Sequence, residues 1–468
     1  TLNAPVATLH KALALAQNSK ATALSIQLLA GTYYLHQTLR IEAQQWKGKT
    51  LNISNYKDGA VTLSGGKRVH LQWQKTSGNL WKAQLDNPAF EQLFVNGKPQ
   101  ILARYPNYTD TVKIFNGFAA DAIAPKRFNR WSNPENGFVH AMHAGQWGGF
   151  QYRITKKAGD LLLLEGGTQN NRPSAMHTKY RFVENIFEEL DAPGEWYFNA
   201  SEKTLYFFPP LGLNLATAKI EISALKHLIE CKGQEDEPLK NVSFKGIHFV
   251  NAERTFMEKY EPLLRSDWCI YRGAAVVLEN TENCTLADCT FSNLGGNAVF
   301  ISRYNLSTTI RGCHFYDIGA SAIALVGDTS AVRSVPNRYE KVTLPDQMDY
   351  VPGPNNHLYP RQCLIEDNLI HHIGRVEKQV AGVQIQVAAQ ITVRHNSIYQ
   401  VPRAAINVGD GAFGGHLIEY NDAFETVLET RDHGAFNSWG RDRYWHFNND
   451  NDISLALLDA QYTTIIRN

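Results

Sequence analysis

A short phrase recurs down the second half of the chain: IHFVN at 247–251, CTFSN at 289–293, CHFYD at 313–317, NLIHH at 368–372, NSIYQ at 396–400 and NDAFE at 421–425. The lead position is Cys289, Cys313, Asn368, Asn396 and Asn421, and Asn468 opens the phrase once more. Two positions on stands a hydrophobe: Phe249, Phe291, Phe315, Ile370, Ile398, Ala423. Self-similarity at a fixed period marks units that bury their apolar faces only by stacking on one another. Each phrase is followed by a turn, often with Gly (Gly295, Gly319, Gly374), and then a second run: NAVFIS, SAIALVGD, AGVQIQV, RAAINVGD, HGAFNSWG. Such runs every 24–28 residues, with no helices between them, predict a parallel β-helix with rungs ~4.8 Å apart. Stacked Asn amides would hydrogen-bond up and down the turn, satisfying groups the core cannot.

Working outward, residues 5–18 read as a helix, with Pro5 at its first position and Val6, Leu9, Leu13 and Ala16 on one face. Short strands follow at 24–35, 50–55 and 61–66. A helix ahead of strands suits the capped end of a solenoid. Residues ~76–225 break the pattern, with phrases such as DAPGEWYFNASEKTLYFFPP that read as strand–turn–strand. The chain therefore divides into an N-terminal cap with first rungs (1–75), an inserted antiparallel β domain (76–225) and the β-helix proper (226–468). Trp131, Trp147 and Trp196 read as core of the insert. Residues 252–278 and 329–361 are excursions from the period, and long loops on a rigid solenoid build clefts.

The 46 basic and 45 acidic residues balance, which argues against a nucleic-acid partner. No apolar run approaches the ~18 residues of a membrane helix. The chain opens at Thr1 without a signal peptide, compatible with a mature secreted, a trimmed or a cytosolic protein. Six cysteines show no zinc spacing. Cys289 and Cys313 share a rung position, as two buried thiols or as a disulfide.

The densest polar cluster is ETVLETRDHGAFNSWGRDRYW at 425–445. A sheet core cannot hold that many unpaired charges, so they face water or a ligand. Carboxylates beside Arg and Trp suit glycosyl transfer to water: an acid, a base or nucleophile, a clamp and a stacking ring. Asp432 and Glu429 are the catalytic candidates; Asp410, Arg403, His433, Trp439, Arg441 and Asp442 are candidates for substrate binding. Aligning AINVGD (405–410) with AFNSWG (435–440) puts Asp410 at the far end of the strand from Asp432. The partner of Asp432 is then in its own turn (Glu429, Glu425) or on the next rung, expected just past Asn468. One rung gives ~5 Å and two give ~10 Å, near the retaining and inverting spacings. For Arg403 and Arg375 solvation is the default reading, with contact to an anionic sugar as the sharper one. His371 reads as a member of a surface stack.

PVATLHKAL, LLAGTYYL, TLSGG, LFVNGKPQILARYPN, RFVENIFEELDAPGEWYFN and above all HLIEYNDAFETVLETRDHGAFNSWGRDRYW resemble the secreted right-handed β-helix proteins around glycoside hydrolase family 141. The resemblance implies an N-terminal helix cap, an inserted β-sandwich and a long right-handed β-helix. It also implies action on fucosyl or xylosyl linkages of complex plant, algal or microbial polysaccharides. The family's ETxDxGA motif falls on Glu429, Thr430, Asp432, Gly434 and Ala435, which makes Asp432 its catalytic carboxylate. The second acidic cluster is expected on the following rung, past Asn468. The expectation is a monomeric secreted, periplasmic or cell-surface glycoside hydrolase with a polysaccharide or oligosaccharide substrate, no membrane insertion and no cofactor. Two alternatives stand beside it: a polysaccharide lyase for acidic glycans, which would call for Ca²⁺, and a non-catalytic glycan-binding β-helix.

Overall fold

The computed structural model describes residues 5–264, 266, 268–334, 345–410, 412–431, 433–438 and 458–468. The recurring phrase forms one wall of a right-handed parallel β-helix. The first sheet runs in order from Ala23–Leu28 and Thr50–Asn55 through Val242–Lys245 to Leu417–Glu419 and Ile465–Arg467. The phrase itself is the second sheet, from Gly31–Tyr34 to Asp422–Ala423. The second runs form the third sheet, which ends with Ala381–Gln386, Ala404–Asp410 and Phe436–Ser438.

The corner between first and second sheets is made by one left-handed residue before each lead position: Asp288, Gly312, Asp367, His395 and Tyr420 have φ between 52° and 62°. Such a residue turns the chain but leaves backbone N–H groups pointing along the axis, and buried N–H groups must be paired. The Asn column pairs them. Asn368, Asn396 and Asn421 donate Nδ2 to the Oδ1 of the next rung's Asn at 2.9, 2.9 and 3.1 Å. The same Oδ1 atoms accept the backbone N–H of Asn368, Asn396 and Asn421 at 3.1, 3.1 and 3.0 Å. At the upper end Asn368 Oδ1 takes the Cys313 N–H at 2.9 Å. Cys289 and Cys313 are free thiols with no disulfide between them, and each lies within hydrogen-bonding reach of backbone carbonyls.

The apolar column points inward. Phe249, Phe291, Phe315, Ile370, Ile398 and Ala423 are in register, and the first three rings stack at 4.9 and 4.7 Å. Ring spacing and rung spacing coincide, so each rung seals the one below it. Outside the same sheet, His371 stacks between Tyr316 and Tyr399.

The capping helix spans Leu9–Gln17 and buries Leu9 and Leu13. It starts later than the expected residue 5, because the Thr8 hydroxyl accepts the Lys11 N–H and caps it there. The insert interrupts a rung. Val61–Ser64 belongs to the second sheet, and the third strand of that turn, Ile229–Lys232, arrives only after the insert and pairs with Leu39–Glu42. Gly66–Val69 already pairs antiparallel with Ile220–Ser223 inside the insert, ahead of the expected residue 76. Trp131 and Trp196 are fully buried in the insert's cores.

The ladder predicts a graded loss. Asn396→Ala strands the buried Asn368 N–H and should lower unfolding free energy by about 1–3 kcal/mol in urea titration. Asn421→Ala, beside the exposed Asn468, should lose less. Equal losses would show that the amides do not act as a ladder.

Candidate functional site

Successive turns between the second and third sheets carry Glu377, Lys378 and Gln379, then Arg403, then Glu429, Thr430, Arg431 and His433. Two elements cover them. One is the tip of the insert hairpin between Phe138–His143 and Gly149–Ala158. The other is the excursion hairpin of Tyr260–Pro262 and Cys269–Tyr271. Gly148 lets the first tip settle: a Cβ there would lie 2.6 Å from the Gln379 Cβ.

Arg403 is the centre. It is only 4% exposed, with its guanidinium 4.4 Å from the Trp268 ring, and it bonds His433 Nε2 at 2.6 Å. The expected solvated arginine is therefore a buried one, because the excursion hairpin lays Trp268 over it. A guanidinium only donates, so His433 Nε2 accepts, and Nδ1 carries the proton donated to the Arg431 carbonyl at 2.6 Å. Burial, then Arg403 and His143, push the His433 pKa down to about 3. His143 is similar: burial, then Arg403 and Arg172, push it down to about 4. Its Nδ1 accepts the Trp147 N–H at 3.3 Å, leaving a buried Nε2–H with no partner. Both imidazoles are neutral at neutral pH and serve as directed hydrogen-bonding groups.

Glu429 sits in a clamp. One oxygen takes the Lys378 ammonium at 2.8 Å and the other the Phe115 backbone N–H at 2.7 Å. Lys378 also donates to the Gly374 carbonyl at 2.7 Å. Burial holds the Lys378 pKa below its ordinary value against the pull of Glu429. The clamp ties the insert to the solenoid. Beside Lys378 in the same turn, burial pushes Glu377 up to about 7, opposed by the neighbouring Tyr260 hydroxyl.

Several buried polar atoms here lack partners: both amide atoms of Gln379 and of Gln151, Glu377 Oε1 and His143 Nε2. Native interiors leave few such atoms, and a group of them calls for water or a hydroxyl-rich ligand. On the outer face of the third sheet, Asn437 donates to Asn407 Oδ1 at 2.6 Å, and Asn407 to Gln384 Oε1 at 2.8 Å.

Of the residues expected from sequence, Arg403 and His433 are brought together, and Glu429 lies in the neighbouring clamp. Asp410 ends the strand Ala404–Asp410 opposite Gln386; its side chain, and Asp432, Trp439, Arg441 and Asp442, lie outside the described residues. The register Ile406↔Phe436, Asn407↔Asn437, Val408↔Ser438 matches the alignment that separated Asp410 from position 432. Trp147, expected in the insert's core, is half-buried against His143 and Arg172 at the rim instead. His143, Trp268, Glu377, Lys378 and Gln379 carried no sequence signal beyond the excursion at 252–278.

Residues 265–424 match the family described as right handed beta helix region. Among solved structures, a protein named "Glycoside hydrolase" superposes with a TM-score of 0.74 at 20% identity, over 94% of this chain and 83% of its own. XylC, in its complex with xylose, gives a TM-score of 0.49 at 12% identity, over 90% of this chain and 59% of its own. No curated protein matches the chain in sequence. The fold is thus a right-handed β-helix similar to that of a glycoside hydrolase.

The Glu377 environment generates a pH prediction. The folded state keeps its proton up to about 7, whereas the ordinary value is 4.5. The unfolded state therefore ionises first, and this group's contribution to stability falls as pH rises from 4.5 to about 7. Glu377→Gln removes that loss. The melting temperature of the variant should rise relative to the parent across this window and stay level above it. A difference that does not change with pH would overturn the assignment.

Proposed function

We propose that the chain is a glycoside hydrolase acting on a complex polysaccharide, with fucosyl- or xylosyl-type linkages as the substrate class implied by the resemblance of its sequence. The observation that carries this reading is the buried Arg403, laid over Trp268 and bonded to His433, the residue that follows Asp432. Hydroxyl-rich substrates supply the partners that Gln379, Gln151 and His143 lack. Likeness to the protein named glycoside hydrolase supports the same fold class.

In this reading Asp432 is the carboxylate that acts as nucleophile or base. Glu429, with both oxygens occupied, is a positioning residue that holds the turn. The proton donor is Glu377, which keeps its proton near neutral pH and has an oxygen without a partner; a carboxyl group whose pKa is raised toward the working pH is suited to general-acid work.

Asp432→Asn should lower kcat on aryl glycosides or polysaccharide by at least ~10³-fold with binding retained. Undiminished hydrolysis sinks the site. Glu377→Gln should slow substrates with poor leaving groups by ~10²–10⁴-fold, and those with good leaving groups much less. An equal effect on both would remove Glu377 as the acid. An EDTA-sensitive reaction giving an unsaturated uronate would make the chain a lyase instead. Retained affinity without any turnover would make it a binding module.

A further inference from the structure

A second cavity, of about 410 Å³, lies where the insert meets the solenoid. Its lining includes Glu91, Gln92, Tyr108, Phe115 and Arg375 but neither Arg403 nor His433. Phe115, whose N–H Glu429 accepts, is one of its lining residues. We infer that this cavity is a separate carbohydrate-binding site that takes one or two neutral sugar units.

The charges already present leave no surplus for an ionic ligand. Arg254 is paired with Glu184. The Arg104 guanidinium is bound by the carbonyls of Pro106, Phe115 and Gly117 and lies 3.9 Å from the Phe182 ring centre. Arg375 faces a lining that also holds Asp110 and Asp317. A sulfate or phosphate group would meet as many negative as positive partners.

The hydrogen-bonding groups, in contrast, are unfilled. Among the described residues the Glu91 carboxyl has no hydrogen bond or ion pair, and the Gln92 Oε1 is buried without a partner. Arg375 is exposed and has five N–H donors; among the described residues its guanidinium makes one hydrogen bond, to the Tyr108 hydroxyl at 2.9 Å. Burial pushes Glu91 up to about 7, against the pull of Arg254, so its carboxyl can both donate and accept near neutral pH. A protonated carboxyl, an amide and one guanidinium beside aromatic rings suit the hydroxyls of a pyranose. The volume lies within the usual range for small-ligand pockets, ~300–1,000 Å³.

The inference takes its ligand class from the glycan reading but not its catalytic residue. Saturation-transfer NMR on the full chain with methyl β-xyloside, L-fucose and inorganic sulfate as probes tests it. Sugar signals should persist in Asp432→Asn, and sulfate should give no competition. Glu91→Leu and the rim variant Arg375→Ala should each weaken sugar binding about fivefold, the loss of one polar contact; circular dichroism checks that both are folded. If the parent hydrolyses aryl glycosides but neither variant changes binding, this inference alone falls. If Asp432→Asn alone abolishes sugar binding, the cavity is not a sugar site. If sulfate displaces the sugars, the site takes anions and the neutral-ligand assignment fails. A parent that neither binds nor hydrolyses any glycan removes the glycan reading and this inference together.

Discussion

The amide ladder from Asn368 to Asn468 is the constraint on which the rest depends. Each side chain serves the backbone of one rung and the side chain of the next, so no rung can slip without breaking two bonds at once. Fixed register is what turns a repeat into a ruler. It brings Phe249, Phe291 and Phe315 into one stack, and it sets the turns that carry Glu377, Arg403 and His433 at regular steps along one edge. A flexible scaffold would need extra contacts to hold such a series of side chains; here the backbone spacing supplies it.

Local electrostatics at that edge are set by exclusion of water more than by charge count. Two imidazoles beside a buried guanidinium are kept neutral, a lysine is held by one carboxylate and one carbonyl, and a neighbouring glutamic acid keeps its proton. The insert and the excursion hairpin cause all of this by covering turns that would otherwise be solvated.

The parts of the structure that obey the period were legible in the sequence. The Asn/Cys column, the inward Phe and Ile residues and the pairing of Asn407 with Asn437 follow from repetition, because a solenoid puts equivalent positions one above another. What broke the period was not legible. Arg403 read as solvated because nothing near it in sequence announces Trp268 as its cover. Lys378 as the partner of Glu429, and Phe115 as the second anchor, are brought together by packing across the insert boundary. Sequence patterns report neighbours along an axis, and these contacts cross it. The late start of the capping helix had a local cause, the Thr8 cap, which the apolar face of the segment concealed.

The interruption of a rung after Val61–Ser64 has a consequence for biosynthesis. A nascent chain that has emerged as far as Ser64 owns strands for every wall of its first turn but not the wall that closes its second. That wall, Ile229–Lys232, is delivered only after the whole insert has been made. The entropy of closing so long a segment grows only slowly with its length, about 0.6 kcal/mol per doubling, and a compact insert brings its two ends together. The second turn can therefore close only once the insert has been made, although the strands it closes on, Thr50–Asn55 and Val61–Ser64, lie ahead of the insert in the sequence.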